Sequence, residues 1–106
     1  SGLKLPVERE NSRASYHLYA VKVAGGKRNG LYTFLRNNNI LAQVNYIPLH
    51  LLTFYQNAYG YRKGDYPVSE KYFEECLSLP LYPGLKSTEQ SKVINCVKRY
   101  FREACQ

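Results

Sequence analysis

The chain contains no methionine. A translation product starts with one, so we expect a processed chain or a piece of a longer one, with Ser1-Gly2 as a cloning remnant. Cysteine is sparse. Cys76, Cys96 and Cys105 are an odd number with no CxxC pair, which argues against a zinc site. Cys76 and Cys96 fall on apolar positions and are expected as small core residues, while Cys105 is expected as an exposed thiol. Reduced thiols suit a cytoplasmic compartment. No apolar run is long enough to span a membrane, and no basic-then-apolar leader is present. Acidic residues are few, 8 against 15 Lys and Arg, for a formal charge of +7.

That excess raises a nucleic-acid reading. The cations are spread along the chain, however, and the tightest group is only Lys98, Arg99 and Arg102. A solvated surface explains them better. The 106 residues make one domain by length, 44% hydrophobic and 22% charged, which fits a globular fold.

Catalytic signatures are absent as well. A Schiff-base lysine must be desolvated to be nucleophilic. Lys22 lies in a strand on the face that reaches water, and the other seven lysines sit in loops, helix ends or polar faces. His17 and His50 have no Ser, Cys or Asp signature beside them, and His17 is expected to pack in the sheet. Gly25-Gly26 and Gly30 lack the spacing of a phosphate loop. No residue is nominated as catalytic, cofactor-binding or metal-ligating.

Residues 1–15 are polar and read as a linker or arm. YHLYAVKV (16–23) reads as a strand, with His17, Tyr19, Val21 and Val23 on one face. Residues 27–38 read as a helix on the stripe Leu31, Phe34, Leu35. Gly30 weakens its first turn, and Asn37, Asn38 and Asn39 suit its exit. ILAQVNYI (40–47) reads as a second strand, with Ile40, Ala42, Val44 and Tyr46 on one face. Gln43 and Asn45 mark the other as a face that meets something polar. A short helix over 51–59 stops at Gly60, and 61–66 is a loop. A helix follows over 67–77, with the stripe Val68, Tyr72, Cys76 and with Pro67 in its first turn. LSLPL (77–81) is a short edge strand. A last helix runs over 88–104, capped by Ser87 with Gln90, with Val93, Ile94, Val97, Phe101 and Ala104 inside. The order predicts an α+β fold: a small, mainly antiparallel sheet with helices packed on it.

Five phrases in order carry a family resemblance: SYHLY (15–19), the helix ending Phe34-Leu35 with NNNI, VNYIPLH (44–50), YRKGDYP (61–67) and SLPLYPGL (78–85). They resemble the C-terminal part of DegT-type, fold-type I sugar-nucleotide aminotransferases. The wording is most similar to enzymes that aminate C4 of a UDP-linked 4-keto-6-deoxy-N-acetylhexosamine. The resemblance implies that 16–106 is the C-terminal small domain and that the large domain, with its cofactor lysine, lies outside this chain. It implies pyridoxal phosphate and a homodimer in the parent enzyme, with the parent's own large domain as partner. It implies amino transfer from glutamate to a nucleotide-linked 4-keto sugar for surface glycans. The fragment alone is expected to be inactive and to need no cofactor.

The segment matching Asn45 to His50 faces the active-site cleft in relatives. Asn45, Tyr46, His50 and Arg62 are therefore the expected substrate-binding residues. Asn45 stands where the family often has histidine; an amide still donates and accepts hydrogen bonds but does not titrate near neutrality. Tyr61, Arg62 and Lys63 complement a diphosphate by charge, or form a solvated loop. The other reading is a basic, tyrosine-rich nucleic-acid-binding module, with bases stacked on some of the eleven tyrosines. The RNA-recognition phrase is missing, so nucleic acid is disfavoured.

Overall fold

The computed structural model describes residues 2–104. Cys105 lies outside the described residues. Strands β1 (Leu3–Lys4), β2 (Tyr19–Val23) and β3 (Cys76–Leu79) form an antiparallel sheet in the order β1-β2-β3. Helices α1 (Arg28–Asn37), α2 (Thr53–Tyr59), α3 (Pro67–Glu75) and α4 (Ser87–Ala104) surround it, with a 3-10 turn at Leu49–Leu51. The expected α+β class is what is found.

Register explains the inner face of the sheet. Val21 pairs with Leu77, and Lys4 and Cys76 flank Lys22 on opposite sides. Alternation turns Val21 and Val23 inward, fully buried, and Lys22 outward to solvent, where it reaches the Tyr72 ring of α3 at 6.0 Å. Leu31 and Leu35 of α1 and Val93, Cys96 and Val97 of α4 close the core over this face. Arg99 of α4 adds a clamp: its guanidinium lies 5.0 Å from the Phe34 ring and donates to Asn38 Oδ1.

Several local expectations change. The sheet's first edge strand comes from Leu3 and Lys4, inside the stretch read as a linker or arm. Residues 40–47 do not form a regular strand. Gln43 and Ser78 exchange both backbone hydrogen bonds (3.0 and 2.7 Å), and pairing goes no further. Ile40 and Ala42 are buried as the alternation requires, but Tyr46 is 72% exposed. Asn39 takes the left-handed conformation (φ 60°) that the triple asparagine suggested, and Gly60 does the same after α2 (φ 72°).

α3 ends at Glu75 and runs straight into β3, so Cys76 and Leu77 are strand residues. Val68 of the expected α3 stripe is 84% exposed, and the buried α3 residue is Glu70. His17 is exposed rather than packed in the sheet, and Ile94 faces water. The α4 cap is shifted by one residue. Ser87 already lies within the helix, and Glu89 reaches back to accept the Lys86 amide at 2.9 Å.

Gly30 has a packing reason. A Cβ there meets the Tyr100 hydroxyl, which crosses α1 to donate to the Lys27 carbonyl at 3.3 Å. Alanine favours a helix by about 1 kcal/mol over glycine, but here it displaces a half-buried ring. Gly30→Ala is expected to destabilise by about 1–2 kcal/mol, and adding Tyr100→Phe to recover most of that loss. Urea unfolding midpoints check this; a stabilised Gly30→Ala protein contradicts it.

Candidate functional site

Two short stretches meet beside α3. Residues 44–52 leave the Gln43–Ser78 bridge and turn at Pro48. The 61–66 loop follows the left-handed stop at Gly60. α3 itself carries the groups that hold both.

Asn45 is half-buried. Its carbonyl accepts a weak hydrogen bond from Cys76 Sγ at 3.5 Å. Its side-chain Oδ1 is buried and has no hydrogen-bond partner among the described residues. Leaving such an oxygen unmatched costs about 1–3 kcal/mol. Asn45 borders a hollow of about 560 Å³ shared with Tyr32, Arg36 and Gln43. Arg36 donates there to the Tyr32 hydroxyl at 3.0 Å. The next peptide, Asn45-Tyr46, is cis. Tyr46 then projects into solvent, followed by Ile47 (50% exposed), Leu49 (64%) and Phe54 (68%). This band is more apolar than a solvated surface needs.

His50 turns inward. It is 5% exposed, with Nε2 3.5 Å from Glu70 Oε2 and the ring edge-on to Tyr66 at 4.9 Å. At that distance Nε2 makes no hydrogen bond. Glu70 is 7% exposed, and both of its carboxylate oxygens accept the Gly64 amide at 2.9 Å. The loop is pinned twice more. Asp65 Oδ2 accepts the Arg62 amide at 2.8 Å, and the Asp65 amide donates back to the Arg62 carbonyl at 3.2 Å. The Arg62 side chain is exposed.

The structure therefore divides the four expected substrate-binding residues. Tyr46 and Arg62 face outward, Asn45 sits at the wall of a hollow, and His50 is an inward contact of Glu70. Sequence reasoning missed Glu70. Its signal is the position: an acid three residues before Phe73, on the one face of α3 that is buried.

Four tyrosines pack in succession. Tyr55, Tyr59, Tyr61 and Tyr66 follow one another at ring separations of 6.1, 6.0 and 5.8 Å. A platform for stacked bases needs open ring faces; here Tyr55 and Tyr59 stack on each other, while Tyr61 and Tyr66 meet edge to face. Of the eight lysines, only Lys27 is half-buried and the rest are exposed. None is desolvated as a Schiff-base amine requires. No group of three or more His, Cys, Asp or Glu among them gathers as a metal site. No described helix is long and apolar enough to cross a membrane.

Cys76 sits at the α3–β3 junction, 1% exposed. Burial pushes its thiol up, against a smaller opposing pull from the Arg28 guanidinium. The folded chain thus holds this proton to higher pH than the unfolded chain. The resulting stability is complete below the unfolded thiol value, about 8.5, and is lost as pH rises through the folded value. Denaturant titrations at pH 7 and pH 9.5 are expected to show a smaller alkaline loss for Cys76→Ala than for the wild type. Equal losses contradict the assignment.

Comparison with known proteins places this geometry. The sequence profile of the DegT/DnrJ/EryC1/StrS aminotransferase family matches residues 1–98. The chain is 35% identical over 102 residues to the spore coat polysaccharide biosynthesis protein SpsC of Bacillus subtilis, covering 92% of this chain and 26% of that protein. It is 29% identical over 106 residues to GDP-perosamine synthase of Vibrio cholerae, covering 95% of this chain and 28% of that protein. The crystal structure of S. venezuelae DesV in complex with a ketimine intermediate superposes with a TM-score of 0.86 at 28% identity, over 94% of this chain and 26% of that one. The chain thus spans about a quarter of the length of the relatives it matches.

Proposed function

The chain belongs to the DegT/DnrJ/EryC1/StrS aminotransferase family, and from that membership we propose that it is the C-terminal small domain of a sugar-nucleotide aminotransferase. Its relatives include sugar-nucleotide aminotransferases, and the family generally depends on pyridoxal phosphate. In this reading the intact enzyme moves the amino group of glutamate to a nucleotide-linked 4-keto sugar, releasing 2-oxoglutarate, for surface-glycan synthesis in the cytoplasm. The lysine-bearing large domain lies outside this chain and holds the cofactor. Two copies of the parent associate, and the present chain alone turns nothing over.

The small domain supplies one wall of the cleft. Asn45 and Tyr46 face the sugar; Arg62 faces the diphosphate. The exposed Ile47, Leu49 and Phe54 dock on the parent's large domain, which removes their apolar surface from water. One observation carries this reading: a continuous match over residues 1–98, to about a quarter of enzymes of this family. The half-buried Asn45 at the wall of the hollow supports it locally, since a side-chain amide placed there suits hydrogen bonding to a sugar.

In the intact enzyme, Asn45→Ala is expected to lower kcat/KM for the nucleotide sugar by about tenfold to a hundredfold with unfolding unchanged. Asn45→His, which restores the residue frequent in relatives, is expected to stay within about threefold. Wild-type kcat/KM in Asn45→Ala contradicts the cleft role.

A further inference from the structure

A buried carboxylate needs partners, because an isolated charge taken out of water is costly. Glu70 is 7% exposed and finds two: the Gly64 amide and the His50 ring. The His50 Nε2 lies 3.5 Å from Glu70 Oε2, and the Gly64 amide donates to both carboxylate oxygens at 2.9 Å. Gly64 has φ 101°, a conformation that side-chain-bearing residues rarely adopt. The loop is thus drawn down onto α3 at Gly64. The two residues immediately before Gly64 are Arg62 and Lys63, both exposed. Tyr61 and Tyr66 flank them and pack on each other at 5.8 Å, and Tyr66 closes over His50 at 4.9 Å. Asp65, the acid nearest the two cations, has an oxygen engaged by the Arg62 amide.

We propose that Glu70 is a positioning residue: with His50 behind it, it anchors the Gly64 amide and so holds Arg62 and Lys63 as a preformed pair of cations for the diphosphate of a nucleotide sugar. His50 acts through Glu70 and touches no substrate. A loop ordered before binding loses less freedom when the ligand arrives. The diphosphate part rests on the sugar-nucleotide reading above; the anchor at Gly64 does not.

The loop carries its own reporter, because trypsin cleaves after Arg62 and Lys63, and the Lys63–Gly64 bond contains the anchored amide. In the intact enzyme, Glu70→Gln is expected to speed tryptic cleavage in this loop by about tenfold, the equivalent of one charged hydrogen bond. It is also expected to raise KM for the nucleotide sugar by about tenfold with kcat within about twofold. Arg62→Ala is expected to raise KM alike without speeding cleavage after Lys63. Unchanged cleavage in Glu70→Gln overturns the anchor. Faster cleavage with KM unmoved in both variants overturns the positioning role while leaving the aminotransferase reading intact. A wild-type enzyme that aminates no nucleotide sugar overturns that reading, and with it the diphosphate part. If Glu70→Gln does not fold, amide exchange in the wild type decides. Protection of the Gly64 amide about tenfold or more above Lys63 supports the anchor, and equal exchange overturns it.

Discussion

The join between α3 and β3 at Cys76 is the constraint on which the rest of this structure depends. A helix that passes directly into a strand leaves its last carbonyls without helical partners. Arg28 of α1 satisfies two of them, donating from Nη1 to the Phe73 carbonyl at 3.0 Å and to the Cys76 carbonyl at 3.2 Å. The guanidinium also lies 5.5 Å from the Phe73 ring. One side chain thus ties α1, α3 and β3 together. The Cys76 thiol extends the tie to the Asn45 carbonyl. With the join held, β3 pairs with β2 in a fixed register and α3 is aimed at the 61–66 loop, with Glu70 beneath Gly64. The wall that carries Asn45 and the loop that carries Arg62 are positioned by the same junction.

Legibility in the sequence followed the strength of local chemistry. β2 was readable because Val21 and Val23 alternate with Lys22, and nothing else competes for that pattern. α4 was readable from its long apolar stripe, and the stops at Asn39 and Gly60 from residues that tolerate positive φ. Residues 40–47 misled because alternation marks a half-buried extended segment whether or not a partner strand exists. Here β3 offers only Ser78 to pair with, and beyond Val44 the chain leaves the sheet. The 67–77 helix was read too long because Cys76 and Leu77 are apolar at helical spacing and are equally good strand residues. β1 is two residues long, too short for any pattern.

The candidate site was legible in part and for a similar reason. Phrases fixed by proline and glycine set backbone turns, and turns decide which residues stand together. They identified the stretch from Asn45 to Arg62. They did not say which side chains point outward. His50 and Tyr46 are only four positions apart, and one is buried while the other is 72% exposed. Glu70 was invisible because an acid on a helix is normally solvated. Its burial becomes meaningful only once Gly64 and His50 are seen against it.

Charge and aromatic content find a common explanation in this arrangement. The cations behind the +7 balance are spread along the chain, and neighbouring tyrosines pack on one another at the loop side of the domain. In the function proposed above, the exposed apolar band after Asn45 is the face that another part of the same enzyme covers. The most direct measurement is mass-spectrometric detection of the amino sugar after incubation with glutamate, pyridoxal phosphate and a nucleotide-linked 4-keto sugar. The account predicts product with the intact polypeptide and none with these 106 residues alone. Product from the 106-residue chain by itself, or none from the intact polypeptide with any such sugar, contradicts it.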